Sequence, residues 1–585
     1  MGSLPATPKE PVSGITSTAA RVVDVFLDYL RAEGVTYVFG VPGGLLFPVF
    51  EALERAPDLE LIVTKHEEGA AFMADGFART SGRLGVCAGT GGPGSTNLLT
   101  GVACAFADGV PMLVVTGQAA SHALGKGAAQ ETTREDIDIV AMFQPITKYS
   151  AMVTNPDALA HHLRRALRQA LTGRHGPVHL NVPVDLWEQP LRERWLNPTT
   201  YRPTTNTFDR GSVARATEVL MAARRPVILA GSGVASARAE EHLRTLAELI
   251  PARVATTPRA KGLFPEDHPL SLGVLGFAGH AQARQAVLGQ EVDVLMTAGA
   301  SLNETTTFNW HPDLMPSEKL IQLDIDVDRI GRNYPVDVPL VGDAQTILIE
   351  LVYHAHRTMR QGTSPASEWS EPTRLGEERY EDRELRTRDA LPLAPQRWRA
   401  ELADALPDDA IVVSDIGGHM LFNIHHLEIK ERQRFVLNLG FGSMGHGTVA
   451  PIGIALAHPE RPVIAIIGDA CFTMNGMELI TAAEYDVPVI WIVENNNMHG
   501  ITWHGSDLLG KQLDSVRYRR TLDVAPLARG MGLAAAVVDR PGRIRAALDE
   551  ALGRRTPSVI EVRVDGMVRP PLGARVRSLA GFIKK

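Results

Sequence analysis

Two apolar runs in the last third of the chain end in residues that could hold a metal ion. Residues 462–467 lead into Gly468-Asp469, and residues 488–494 lead into Asn495-Asn496. With a helix expected around 477–485 between them, the segment reads as a strand–helix–strand unit with a right-handed crossover. Parallel strands bring both carboxyl ends to one sheet edge, where open α/β sheets bind ligands. One carboxylate and one amide oxygen form a sparse, hard-oxygen set. That set suits Mg²⁺, which keeps waters and takes further ligands from a bound phosphate. An isolated Asp or Asn more often caps a helix or a turn, so the metal reading needs the surrounding residues.

Several other clusters carry chemistry. Gly440-Phe-Gly-Ser-Met-Gly-His-Gly447 is a glycine-rich turn entering a helix over 448–457, and Ile416-Gly-Gly-His419 follows a strand at 410–414. His66-Glu67-Glu68-Gly69-Ala70 follows a strand at 61–64; with Ala at 70 it is not the His-Glu-x-x-His zinc pattern. Gly89-Thr-Gly-Gly-Pro-Gly-Ser-Thr-Asn97 contains Gly-x-Gly-x-x-Gly after a strand. A dinucleotide site would also need an acidic residue ending the next strand. Asp108 instead precedes the strand 111–116, and Gly231-Ser-Gly233 lacks a third glycine.

The elements that must position these residues fall into three alternating blocks. Block one opens with an amphipathic helix over 20–32 (Val22, Val23, Phe26, Leu27 and Leu30 at helical spacing). It continues with strands at 37–40, 61–64, 85–88, 111–116 and 178–182. Block two has strands at 226–230, 292–298 and 319–324. Block three has strands at 410–414, 435–438, 462–467, 488–494 and 558–564. The alternation predicts parallel sheets covered on both faces, hence an α/β fold of three doubly wound domains. Their bounds are 19–190, 205–355 and 393–567. A polar joint at 197–209 separates the first two domains. A charged stretch at 356–392 reads as a mobile linker with helical parts. Residues 1–18 read as a disordered tail without a signal peptide, and 568–585 as a basic C-terminal tail. Three blocks of one class suggest duplication.

Composition narrows the function. The 585 residues are 44% hydrophobic and 22% charged, the balance of globular protein rather than a disordered scaffold. A net charge of −8 offers no basic field for nucleic acid or anionic membrane. Three cysteines are too few and too scattered for a disulfide framework or a closed zinc site. No apolar run approaches a membrane span. A reducing cytoplasmic setting is expected.

The ordered set of motifs resembles the acetohydroxyacid (acetolactate) synthase large-subunit family of thiamine diphosphate enzymes, over about residues 20–564. Gly468-Asp469, with Asn496 27 positions beyond the Asp, is similar to the family's diphosphate-binding motif. The resemblance assigns Asp469, Asn496 and the carbonyl of Met498 to Mg²⁺, with Gly468, Ala470 and Cys471 beside the diphosphate. Ala470 stands where the family usually has Gly. The carbonyl of Gly442 and the side chain of Met444 would cradle the aminopyrimidine. His419 would contact the diphosphate, with Gly418 replacing a usual Gln. Glu67 matches the cofactor-activating glutamate, and Asn97 lies in the family's loop near the cofactor. The three domains become pyrimidine-binding, middle and diphosphate-binding. Active sites at the interface of a homodimer or homotetramer are implied.

The implied reaction is decarboxylation of a pyruvate-like 2-oxo acid, then ligation to a second 2-oxo acid. Gln130 is expected to act on the substrate, with Ala129, Lys148, Trp503 and His504 around it. In the family's pyruvate-only members a Phe precedes the Gln. Ala129 therefore suggests room for a bulky, even aromatic, acceptor and an acyloin-type product. A non-ligating 2-oxo acid decarboxylase, a plain acetolactate synthase, a nicotinamide dehydrogenase and a catalytically silent binding protein remain as alternatives. Flavin is not expected. Where flavin-bearing members carry Gly-Ala-Arg with a second Arg four residues on, this chain has Gly299-Ala-Ser301-Leu-Asn-Glu-Thr305, without the charge-assisted bonds to phosphate.

Overall fold

The computed structural model describes residues 20–191, 195–202, 207–289, 291–369, 373, 376–511 and 513–573. The expected N-terminal tail and most of the C-terminal one lie outside them. Each block forms a six-stranded sheet in which every pairing is parallel. Domain one contributes Tyr37–Gly40, Glu60–Val63, Gly85–Gly89, Met112–Gln118, Ser150–Met152 and Pro177–Pro183. The middle domain contributes Val227–Ala230, Arg253–Thr256, Ser271–Val274, Val294–Ala298, Lys319–Asp324 and Val338–Val341. Domain three contributes Ile411–Ser414, Arg434–Leu437, Val463–Gly468, Val489–Asn495, Ala534–Val538 and Ser558–Arg563. Numbered within each domain, the strands of domains one and three both lie in the order 2-1-3-4-6-5, whereas the middle domain has 3-2-1-4-5-6. The duplication suggested by three like blocks is therefore supported by topology for the first and third only.

The central strands are buried along their whole length, as in Val463–Gly468 and Val489–Asn495, because helices cover both faces of each sheet. Three local expectations are corrected. The first helix begins at Val22, since Ala20–Arg21 pair antiparallel with Pro190–Leu191. The crossover helix expected over 477–485 is two helices, Asp469–Asn475 and Leu479–Glu484, joined by a 3-10 turn at Gly476–Glu478. The joint at 356–392 is no free linker. Helix Ala344–Arg360 extends into it, and two short 3-10 turns follow at Glu377–Arg379 and Arg383–Arg386. Its aromatic residues pin it down. Trp369 lies under Arg253, 3.8 Å from guanidinium to ring centre, and donates its indole N–H to the Pro226 carbonyl at 2.9 Å. Tyr380 is buried between Arg386 and His426. Cys87, Cys104 and Cys471 are free and buried. Among the described residues, no helix is long and apolar enough to cross a membrane.

Domains one and three are joined through two helices, Glu67–Ser81 and His446–Ala457. The second is buried over nearly all its length. Glycines let the backbones touch: a Cβ on Gly76 would lie 2.3 Å from the Ala450 carbonyl oxygen, and one on Gly453 2.0 Å from that of Met73. Charges reinforce the contact. Asp75 receives Arg79 at 2.8 Å and the His446 ring nitrogen at 2.8 Å. Asp108 receives Arg79 at 2.7 Å and Arg259 of the middle domain at 3.1 Å. Burial alone would raise the Asp75 carboxyl, but Arg79 and His446 outweigh it and hold it well below the ordinary carboxylate range.

Gly453→Ala should therefore destabilise the protein by about 1–3 kcal/mol, the usual cost of overpacking. Gly553, exposed near the end of helix Ile544–Arg554, has no neighbour within 4 Å of a built Cβ. There the same substitution should stabilise by about 0.5–1 kcal/mol. Denaturant unfolding of the two variants checks the opposite signs.

Candidate active site

The third sheet delivers its metal candidates to one edge as its topology demands. Strands Val463–Gly468 and Val489–Asn495 are adjacent, with Gly468 opposite Glu494. Asp469 opens the helix that follows the first strand, and Asn496 follows the second. Asp469 is buried. One carboxylate oxygen accepts the Ala470 N–H and the other the Asn497 N–H, each at 2.7 Å. The Asn496 side-chain oxygen accepts the Met498 N–H at 3.1 Å, so Asp469, Asn496 and Met498 share one loop cluster. Asn495 is committed elsewhere, donating to the Leu522 carbonyl and to Glu561. Burial, with Glu494 nearby, pushes the Asp469 carboxyl up to about 7 against its amide donors. A bound cation would restore the anion. Among the described residues, no group of three or more His, Cys, Asp or Glu could hold a metal, consistent with a set completed by a ligand.

Around this edge the loops are held by groups that the motifs did not single out. Asp415, buried after strand Ile411–Ser414, accepts the N–H groups of Ile416, Gly445 and Thr448. It thereby ties the 416–419 segment to the glycine-rich turn. A carboxylate ending a strand was the available signal. Arg399 and Glu494 form a fully buried pair at 2.6 Å, and Arg399 also donates to the His419 carbonyl at 3.1 Å. His419 packs on Gly468, where a Cβ would lie 2.9 Å from its Nδ1. Its buried Nε2 has no hydrogen-bond partner. Burial, aided by Arg399, pushes its pKa down to about 3, so the ring is neutral. Cys471 points its thiol to the Ile416 carbonyl at 3.3 Å, and Ala470 is buried beside Asp469. Gly442 takes a positive φ of 77° with open space around its Cβ position. Met444 is partly buried against the core.

Glu67 begins the helix after strand Glu60–Val63 and is 8% exposed. Asn97 donates to its carboxylate at 2.9 Å, so within this chain Asn97 orients Glu67. The intervening loop owes its glycines to crowding. A Cβ on Gly94 would sit 3.2 Å from the Glu67 carboxylate, and one on Gly91 2.7 Å from the Gln130 carbonyl oxygen. That settles the dinucleotide cue in favour of packing. Gly231 and Gly233 likewise close on Gly299, with Gly233 N–H donating to its carbonyl at 3.0 Å. Gln130, at φ 58°, lies against Gly92 of the Glu67 loop.

One substrate-side expectation is corrected. Lys148 donates to the carbonyls of Thr172 and Arg174 at 2.9 and 2.7 Å. Its N–H pairs with Pro177, the first residue of its strand, so it lies at the sheet edge opposite Glu67. Ala129 is exposed in the single chain, as is Gln130 beside it. His504 donates to the Gly566 carbonyl at 3.0 Å and stacks edge-on with Trp503. Both sit on helix Gly500–Leu508, directly after the metal loop.

These residues fit thiamine diphosphate and magnesium. The fit rests on the partnerless His419 nitrogen one residue from the metal edge, the buried Asp469 and the open Gly442 carbonyl turn. Asp469→Ala should abolish Mg²⁺-dependent cofactor binding, while Asn495→Ala should chiefly loosen the fold. Calorimetric titration of both variants separates these outcomes.

Models of three thiamine pyrophosphate enzyme domains match the chain in order: the N-terminal TPP binding domain over residues 20–142, the central domain over 213–351 and the C-terminal TPP binding domain over 415–562. A probable acetolactate synthase large subunit of Methanocaldococcus jannaschii is 35% identical over 577 residues, covering 96% of this chain and 95% of that protein. The acetolactate synthase large subunit of Haemophilus influenzae is 31% identical, covering 93% and 94%. The isozyme 3 large subunit of Escherichia coli is 30% identical, covering 94% and 95%. The chain, with its three sheets and its Asp469–Asn496 edge, is thus a thiamine pyrophosphate enzyme and belongs to the acetolactate synthase large-subunit family.

Proposed function

We propose that the enzyme decarboxylates a pyruvate-like 2-oxo acid and joins the remaining fragment to a second 2-oxo acid, giving an acetolactate-type product. The observation that carries this reading is Glu67: buried, oriented by Asn97, and walled by the loop that also meets Gln130. Bound thiamine diphosphate supplies the electron sink that allows a 2-oxo acid to lose CO₂. The chain does the rest. Asp469, Asn496 and the Met498 carbonyl would hold Mg²⁺, and His419 would contact the diphosphate. The Gly442 carbonyl and Met444 set the pyrimidine. Glu67 shares a proton with the pyrimidine ring nitrogen, the positioned acid–base role of such a carboxyl. Gln130 faces the substrate.

A bulky aromatic acceptor is not part of the proposal, because only the small side chain at Ala129 suggested it. Flavin is also left out. The cleft at the carboxyl edge of the middle sheet is lined by Ser301 and Asn303. Its cations are already engaged: Arg174 with the Phe106 and Ala107 carbonyls, Arg259 with Asp108 and Arg329 with Asp326. Two carboxylates, Asp324 and Asp343, line the same cleft.

A homo-oligomer with sites completed across subunits belongs to this reading. Phe441, Met474 and Met477 flank the metal helix and the glycine-rich turn at 54%, 55% and 61% exposure. Exposed apolar side chains beside the site support a surface that a second subunit would cover.

Incubation with pyruvate, thiamine diphosphate and Mg²⁺ should yield acetolactate by mass spectrometry. Release of acetaldehyde alone would favour the non-ligating decarboxylase. Glu67→Gln should bind cofactor normally yet lose about 10²-fold or more in turnover. Light scattering should give at least a dimer.

A further inference from the structure

A buried carboxylate outside the assigned site grips the backbone that carries Glu67. Glu478 lies in the 3-10 turn just beyond the metal helix Asp469–Asn475 of domain three and is 2% exposed. Its Oε1 accepts the N–H of Lys65 at 3.0 Å and that of His66 at 2.8 Å, both in domain one. Its Oε2 accepts the Thr481 hydroxyl at 2.8 Å and lies 3.2 Å from the Lys65 nitrogen. The fit is close: a Cβ on Gly69 would lie 2.2 Å from Oε1. Neighbouring contacts repeat the theme. Asn475 donates to Glu68 at 3.0 Å, and the Tyr485 hydroxyl accepts the Val63 N–H at 2.9 Å while donating to the Leu61 carbonyl.

We propose that Glu478 is a positioning residue: by accepting the Lys65 and His66 amides it sets the pose of Glu67 for cofactor activation, resting on the assignment of Glu67 above. Every contact of Glu478 is one in which its oxygens accept, so the role needs two acceptor positions at the right reach and not a transferable proton. It also joins two sites. In the proposed oligomer Asp469 serves one cofactor and Glu67 of the same chain serves another, so the segment 469–478 ties the metal helix of one site to the glutamate of its neighbour.

The test uses the holoenzyme with thiamine diphosphate and Mg²⁺, reading deuterium exchange at the cofactor's C2 by quenched NMR, cofactor affinity by calorimetry and amide exchange over residues 61–70. Glu478→Gln keeps the Oε1 acceptor, and its amide group can donate to Thr481, whose hydroxyl rotates to accept. Its C2 exchange should match the parent enzyme. Glu478→Asp keeps the charge but falls one methylene short. It should slow C2 exchange by about ten- to a hundredfold, the cost of misplacing a reacting group by about 1 Å, with faster amide exchange at 65–66 and unchanged cofactor affinity. Glu478→Ala should do the same. Should that variant fail to fold, the Gln and Asp pair decides alone. Slow exchange in Gln with normal exchange in Asp would overturn positioning in favour of a proton-carrying role, and parent-like exchange in both would overturn it outright. Normal C2 exchange in Glu67→Gln would mark the failure of the Glu67 assignment itself, whatever Glu478 does.

Discussion

A buried chain of opposite charges holds the three domains in one arrangement. Asp75 and Arg79 lie on the helix that begins at Glu67, His446 on the helix that follows the glycine-rich turn, Asp108 at a helix end in domain one, and Arg259 in the middle domain. Asp75 and Asp108 have no exposed side-chain surface. Removing one partner would strand the others in low dielectric, a loss on the order of 3–5 kcal/mol. Hydrophobic packing alone would tolerate sliding of one apolar helix over another; the charge chain, with the Gly76 and Gly453 contacts, selects one register.

That register is what gives the chemistry its geometry. Fixing helix Glu67–Ser81 fixes the direction in which its first residue points. Fixing helix His446–Ala457 fixes the turn whose Gly442 and Met444 precede it. The charge chain reaches the turn directly, since Asp108 also accepts the Gly440 N–H at 3.1 Å. On the far side, Asp415 and the Arg399–Glu494 pair set the loops that carry His419 and Asp469. The site is thus assembled from loops without being left to loop flexibility: each is nailed to a strand end by a buried carboxylate.

What could be read in the sequence was what local pattern encodes. Asp469, Asn496 and the 440–447 turn are contiguous or sit at strand ends, so spacing finds them, and long apolar strands announce themselves. Short strands do not. Ser150–Met152, Arg253–Thr256, Ser271–Val274, Val338–Val341 and Ala534–Val538 lie toward the sides of their sheets, where three to five residues of mixed character carry no distinguishable period. Lys148 was misjudged because only tertiary contacts reveal that its ammonium caps two carbonyls. The helical parts expected in 356–392 are present, but charge suggested solvation there, whereas Arg379 and Arg386 are buried and stack on Tyr380. Glu478 has no motif in its own neighbourhood, and its partners in domain one, Lys65 and His66, lie more than 400 residues away in sequence.

The unlike strand order of the middle domain bears on how the polypeptide is arranged. Domains one and three share a topology and interlock helix to helix, forming one pseudo-symmetric catalytic body. The middle domain lies between them in sequence but contributes a different sheet. Relative to that body it acts as a folded tether. It raises the effective concentration of one half for the other and docks on them through the Arg259 salt bridge, the Ile429 N–H donating to Glu266 at 2.9 Å, and Val274 and Ala278 packed into the third domain's core. The two halves carry their complementarity in their own surfaces, and the same architecture could be delivered as separate polypeptides that find each other through the Gly76–Gly453 crossing.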